Sequence, residues 1–158
     1  MNKQETYRYL DEHHIFYEVT EHPAVFNMTE AAAIKLPHPE DEAKNLFVCD
    51  NKKKQYYLIT VKGSKRIDLN AFRRKHGLRP LSFAGPEALA GIMGLIPGAV
   101  TPLGLLNDKE RKVRLFLDKS FIGGHISLHP NDNTATVWMA AADLLDLLRG
   151  HGTEIILF

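Results

Sequence analysis

Cysteine is nearly absent. Cys49 is the single one in 158 residues, so no internal disulfide can form and a disulfide-stapled secreted scaffold is excluded. A reducing, cytoplasmic setting is the expectation that follows. The opening Met1-Asn2-Lys3-Gln4-Glu5 runs into charged, helix-like sequence without an apolar core segment, so no secretory signal is expected. Net charge is close to nothing as well, with 20 basic residues against 19 acidic ones. No linker, internal repeat or low-complexity tract interrupts the chain, and no Gly-x-Ser-x-Gly elbow, Walker loop or Gly-x-Gly-x-x-Gly fingerprint occurs in it.

What is present is an ordinary globular balance, 44% hydrophobic and 25% charged, in a length that suits one domain spanning residues 1–158. A chain of this size buries roughly 68–70% of its unfolded surface, so it needs no staple. The near-zero net charge hides a segregation. Residues 1–42 carry nine acids and three bases, whereas residues 51–80 carry ten bases and one acid, Asp68. Half of all basic residues thus fall in under a fifth of the chain. Such a zone is either a solvated face or a surface for a polyanionic partner.

The hydrophobic pattern alternates between helix and strand. Residues 3–13 read as a helix with Tyr7, Leu10 and His14 on one side, and 16–20 as a strand. Asn27 with Glu30 three residues later resembles a capping box that opens a short helix through Ala31, Ala32, Ala33 and Ile34. Residues 45–49 and 55–61 read as strands joined by a polar hairpin turn. A helix follows from Asp68 to His76 with Gly77 as its stop, and another starts at Pro86. Strands are expected over 112–117, 125–129 and 134–139, a helix over 140–149 with Gly150 as its stop, and a last strand over 153–158. Hairpins without strict βαβ alternation point to an α+β fold with a mixed, barrel-like curled sheet flanked by helices. Residues 88–107 hold no charge and match a membrane span in length, but four glycines and two prolines break the run. A buried glycine-rich loop is the expectation there.

Candidate chemistry is sparse. Cys49 shares a strand face with Phe47 and reads as a buried structural thiol. Of the eight histidines only His125 and His129 have a chelating interval, and on a strand that interval spans ~13 Å, too far for one ion. The loop Pro97-Gly98-Ala99-Val100-Thr101-Pro102-Leu103-Gly104 is either a plain connector or a backbone cradle for a water or an oxyanion, since glycine reaches φ > 0 and proline fixes the flanks. Lys44 stands at the mouth of a strand. There, alternation puts Asn45, Phe47 and Cys49 on one face and Lys44, Leu46 and Val48 on the other. His129-Pro130-Asn131-Asp132-Asn133 ends a strand and starts a turn.

These segments form an ordered set. Glu21-His22-Pro23-Ala24-Val25-Phe26, Glu42-Ala43-Lys44-Asn45-Leu46-Phe47, Lys54-Gln55-Tyr56-Tyr57-Leu58 and Arg79-Pro80-Leu81-Ser82-Phe83-Ala84 precede the Pro97–Asp108 loop and Ser127–Val137. In that order, over nearly the whole chain, the sequence closely resembles the stand-alone prolyl-tRNA editing proteins, the PrdX/ProX branch of the YbaK-like aminoacyl-tRNA deacylases. The resemblance implies a compact α/β fold around a barrel-like mixed sheet and hydrolysis of the ester joining a wrong amino acid, chiefly alanine, to proline tRNA. It implies a catalytic role for Lys44 and for the Gly98 and Pro102 ends of the loop. Asn45, Ala99, Val100, Thr101, His129, Pro130 and Asn133 would then bind substrate. Lys52, Lys53, Lys54, Lys62, Lys65, Arg66, Arg73 and Arg74 would grip the tRNA. No metal or cofactor is expected. Partners would be mischarged proline tRNA and prolyl-tRNA synthetase, with no DNA and no membrane, and the protein would be a monomer or weak homodimer. The competing readings are a deacylase for tRNA mischarged with cysteine or serine, a non-catalytic tRNA- or synthetase-binding homologue, and a hydrolase of small esters. The last of these leaves the basic zone unexplained.

Overall fold

Residues 1–27, 29–30 and 33–158 are described by a computed structural model of the chain. Helix α1 (Lys3–Glu12) starts at a capping box in which Asn2 accepts from the Glu5 N–H at 2.8 Å and Glu5 accepts from the Asn2 N–H at 3.0 Å. Strand β1 (Tyr17–Glu21) follows, and Glu21 ties it back to α1 through Lys3 at 2.8 Å and Tyr7 at 3.0 Å. The short helix expected after Asn27 involves Ala31 and Ala32, which with Met28 lie outside the described residues. On its described part, the Glu30 N–H donates to Asn27 at 2.8 Å.

Strands β2 (Ala43–Asp50) and β3 (Tyr56–Lys62) form the expected hairpin. Asp50 closes its tip by accepting from the Lys54 and Gln55 N–H groups at 2.9 and 3.3 Å. Helix α2 (Leu69–Lys75) is capped by Asp68 and stops at Gly77, whose φ of +65° suits a residue without Cβ. After strand β4 (Leu81–Phe83) comes α3 (Pro86–Met93), with Pro86 in its first turn. The uncharged stretch continues as a loop and a 3₁₀ turn, Pro102–Asn107, and no helix among the described residues is long and apolar enough to cross a membrane. Strands β5 (Val113–Leu117), β6 (His125–Leu128) and β7 (Ala135–Ala140), helix α4 (Ala141–His151) and strand β8 (Ile155–Leu157) complete the chain.

The architecture is mixed α+β, as expected, but the curled sheet resolves into two. One is five-stranded in the order β4-β2-β3-β5-β8, and the other is three-stranded and antiparallel, β1-β7-β6. A parallel bridge, Glu42 to Ser127, joins them. Strand alternation divides the core. Phe47 and Leu58, paired across β2 and β3, face a cluster that includes Leu115, Ile126, Met139 and Leu144 and is shared by both sheets, α3 and α4. Their neighbours Val48, Tyr57 and Ile59 face the opposite side, where Phe72 of α2 and Phe116 pack. Cys49 is buried.

The end of helix α4 departs from the sequence reading. Helix α4 runs through Gly150 and ends at Gly152, which takes the left-handed conformation with φ +96° while the Thr153 N–H donates to the Leu148 carbonyl at 3.0 Å. A helix-ending glycine is set by that reversed turn rather than by the first glycine encountered.

Candidate functional site

Where the two sheets meet lies a cavity of about 390 Å³, lined by both bridging residues, Glu42 and Ser127. Its volume falls in the range usual for small-molecule sites. The start of β2 supplies Lys44 and Asn45, the loop after α3 supplies Gly98 and Val100, and the end of β6 supplies Leu128 and His129. The segment after β1 adds His22, Val25 and Phe26. Sequence positions over a hundred residues apart therefore share one wall.

Asn45 accepts a hydrogen bond from the hydroxyl of buried Thr60 at 2.7 Å, which fixes its amide and turns the NH₂ end away from Thr60. Lys44 lies one residue earlier, on the face that carries Leu46 and Val48, and is half-buried. Its ammonium donates to the Lys65 carbonyl at 2.7 Å. Alternation along β2 is thus as expected, and the Lys44 charge is satisfied at the rim by a main-chain oxygen.

Gly98 holds a φ of +91°, and a Cβ there would stand 3.1–3.2 Å from Phe26 and the Val25 carbonyl. The loop therefore leans on the segment after β1 as closely as glycine allows. Ala99, Thr101 and Pro102 are buried behind the wall rather than on it. Ala99 donates its N–H to the Ile96 carbonyl at 3.1 Å, and the Thr101 hydroxyl caps the 3₁₀ turn by accepting from Leu103 at 3.3 Å.

His129 Nδ1 meets the Ala135 carbonyl at 3.1 Å, and a carbonyl only accepts, so Nδ1 carries the proton and Nε2 keeps its lone pair in the neutral ring. Burial pushes the His129 pKa down, which keeps the ring neutral at pH 7. Pro130 is buried beside it. Asn133 is buried as well, and it clamps the segment after β1 by donating to the Val25 carbonyl at 2.8 Å while the Val25 N–H returns to the Asn133 carbonyl at 3.3 Å. It supports the wall without lining it.

His22 was not singled out from sequence. Its Nδ1 meets the Pro23 carbonyl and its Nε2 the Thr136 hydroxyl, each at 2.9 Å, and its ring lies 6.4 Å from that of His129. The Glu-His-Pro run was the available signal. Its partner on β7 is 114 residues away, which no local pattern reveals.

The basic zone divides in space. Lys52, Lys53 and Lys54 are exposed at the hairpin tip, roughly 20–25 Å along β2 from Lys44 at ~3.3 Å per residue. Lys62 and Lys65 lie at the cavity end but are engaged. Lys62 reaches Asp41 at 3.5 Å and sits 4.5 Å from the Phe121 ring centroid, and Lys65 pairs with Asp118 at 2.8 Å. Burial alone would raise the Asp118 carboxyl, yet Lys65, Ser120 and the Lys62 N–H hold it down at about 2. Arg66 and Arg74 are exposed, and Arg73 is half-buried.

His125 and His129 are kept apart by their strand, His125 stacking on Trp138 at 4.0 Å. Among the described residues, one metal-capable grouping arises that the sequence did not reveal. His38, Glu40 and Asp41 bring ligand atoms within 4.8 Å of one another. Two of the three are already engaged, His38 with Glu18 at 2.9 Å and Asp41 with the Trp138 indole at 2.8 Å.

The chain is similar to known proteins in sequence and in fold. A family model described as the aminoacyl-tRNA editing domain matches residues 22–147, which contain every cavity residue named above. The prolyl-tRNA editing protein ProX of Acetoanaerobium sticklandii is 36% identical over 151 residues, covering 95% of this chain and 92% of that protein. Prolyl-tRNA synthetase associated domain-containing protein 1 of Bos taurus is 35% identical over 149 residues, covering 89% and 84%. A crystal structure described as a candidate trans-editing enzyme for prolyl tRNA synthetase superposes with a TM-score of 0.71 at 25% identity, over 99% of this chain and 96% of the other.

Proposed function

Because this chain belongs to the aminoacyl-tRNA editing domain family, we propose that it hydrolyses the ester of mischarged proline tRNA, with alanine as the amino acid removed. The observation that carries the reading is the convergence of Lys44, Asn45, the Gly98 loop and His129 on one cavity. The similarity to the protein named for prolyl-tRNA editing supports the choice of tRNA.

The chemistry asks little of side chains. Water adds to the ester carbonyl, the tetrahedral intermediate collapses, the carbon–oxygen bond to the terminal ribose breaks, and a proton passes to the ribose oxygen. An aminoacyl ester is already reactive, so orientation of the water and stabilisation of the oxyanion suffice. The main-chain N–H groups of Gly98 and Val100, the two loop residues that line the cavity, serve the oxyanion and the water, and the ribose hydroxyl assists. Lys44 exchanges the Lys65 carbonyl for a phosphate or carbonyl oxygen of the acceptor end. Neutral His129 shapes the amino-acid pocket rather than acting as the base. A synthetase that selects proline cannot strongly reject a smaller side chain, because missing methylenes are worth only ~1–3 kcal/mol, and a second pocket that admits alanine and excludes the proline ring completes the sieve.

Proline tRNA charged in turn with alanine, cysteine and serine tests the assignment. The proposal expects alanine to be released fastest. Faster release of cysteine or serine would reassign the pocket, and no release of any would favour a non-catalytic binding protein.

A further inference from the structure

We propose that a second, basic cleft remote from the cavity holds the phosphate backbone of the RNA substrate. It is built from Lys53 and Lys54 of the hairpin tip with Arg111, Lys112 and Arg114. The inference deepens the editing reading and rests on it for the identity of the polyanion.

The cleft, about 650 Å³, brings together two basic segments more than fifty residues apart. Parallel pairing of β3 with β5 does this, because the register Tyr56 to Val113 and Tyr57 to Arg114, continued backwards, sets Lys54 and Gln55 beside Arg111 and Lys112. Gln55 fastens the junction by donating to the Lys112 carbonyl at 3.4 Å. Asp50 holds the tip from below, and Lys53 takes a left-handed φ of +52° in that turn. The lysines are therefore presented on a fixed loop. On the opposite wall, a Cβ at Gly91 of α3 would meet nothing within 4 Å, so an approaching chain has room.

Charge balance favours a polyanion. Glu110 pairs with Lys112 at 2.9 Å and Glu154 with Arg114 at 2.8 Å, whereas among the described residues no ion pair engages Lys53, Lys54 or Arg111. Holding these like charges together is unfavourable without an anion between them. The tip stands roughly 20–25 Å along the β2–β3 ribbon from Lys44, so a duplex whose 3′ end occupies the cavity meets the cleft well along its stem. A tetranucleotide stacked at ~3.4 Å per residue is too short to reach it.

The test is the double variant Lys53→Glu/Lys112→Glu, both exposed side chains, checked for an unchanged melting temperature. Fluorescence anisotropy with uncharged proline tRNA between 50 and 200 mM salt should show at least ~10-fold weaker binding and a log–log salt slope smaller by about 2, the loss of two phosphate contacts. Binding of a CCA-ended tetranucleotide should stay within about 2-fold of wild type, and Lys53→Arg/Lys112→Arg should retain tRNA affinity, because both readouts follow from contacts to phosphates beyond the reach of a short strand. Equal losses for tRNA and tetranucleotide would overturn the proposal. So would unchanged tRNA affinity and slope, the result expected if the cleft takes an acidic protein segment instead. A wild-type protein that binds tRNA in this manner but hydrolyses no aminoacyl ester would refute the editing reading and leave the cleft standing.

Discussion

Replacing Gly98 with alanine should cost stability and disturb the cavity together, and the size of both effects follows from local geometry. At φ +91° a side chain is strained, at about 1–2 kcal/mol for left-handed backbone. The new Cβ would also stand 3.1 Å from Phe26 Cδ1 and 3.2 Å from Phe26 Cα and the Val25 carbonyl oxygen. Two of these three atoms are main chain. That main chain has little freedom to retreat, because Asn133 and Thr134, just ahead of β7, hold it through the bonds between Asn133 and Val25 at 2.8 and 3.3 Å and the His22 N–H donating to Thr134 at 2.9 Å. Overpacking of this kind adds about 1–3 kcal/mol. A total near 3 kcal/mol corresponds to a fall in melting temperature of roughly 6–12 °C for a chain of this length. Because Gly98, Val25 and Phe26 share the cavity wall, single-turnover deacylation by the folded fraction should fall at least ~10-fold. Gly91→Ala is the control. It lies inside α3 with open space around its Cβ and should stabilise by about 0.5–1 kcal/mol. A Gly98→Ala protein that melts within a degree of wild type and keeps its rate would refute the reasoning.

Lys44→Ala should fold normally and lose at least ~10²-fold in single-turnover deacylation at saturating enzyme, with Lys44→Arg failing to restore the full rate, since a planar guanidinium does not replace a compact ammonium. A folded Lys44→Ala protein with the wild-type rate would remove Lys44 from the mechanism. Burial depresses His129 and His76, so the folded chain resists protons that the unfolded chain takes up near 6.5. Stability should therefore be full above that pH and decline as pH falls through it, then decline again below 3.8, where the unfolded chain protonates the carboxyl that Asp118 keeps ionised down to about 2. A melting temperature that stays flat from pH 8 to pH 5 would contradict the histidine part. Dialysis against a chelator followed by magnesium for the tRNA should leave deacylation intact, and recovery that requires zinc would show that a metal takes part.

Local chemistry made most of the fold legible, and its limits are specific. That Phe47 and Val48 fall on opposite faces of β2 is legible from strand alternation alone, and the hairpin after it from one polar run. Strand β4 was not, because Leu81-Ser82-Phe83 is three residues long and leaves Phe83 exposed at a sheet edge. The cavity was legible only as separate motifs. Its assembly depends on the Glu42–Ser127 bridge and the His22–Thr136 hydrogen bond, contacts that no sequence window contains. The basic zone was visible as charge but not as geometry. Asp41 and Asp118, from other segments, engage Lys62 and Lys65, while Arg111, Lys112 and Arg114 join the hairpin tip from outside residues 51–80.

The most direct test of the central claim is single-turnover hydrolysis, at saturating enzyme, of proline tRNA carrying labelled alanine, beside the same tRNA carrying proline and alanine tRNA carrying alanine. The account predicts rapid release of alanine from proline tRNA, slow release of proline because the pocket excludes the ring, and slower release from alanine tRNA. Equal rates for alanine and proline on proline tRNA, or no release above the uncatalysed rate, would contradict it.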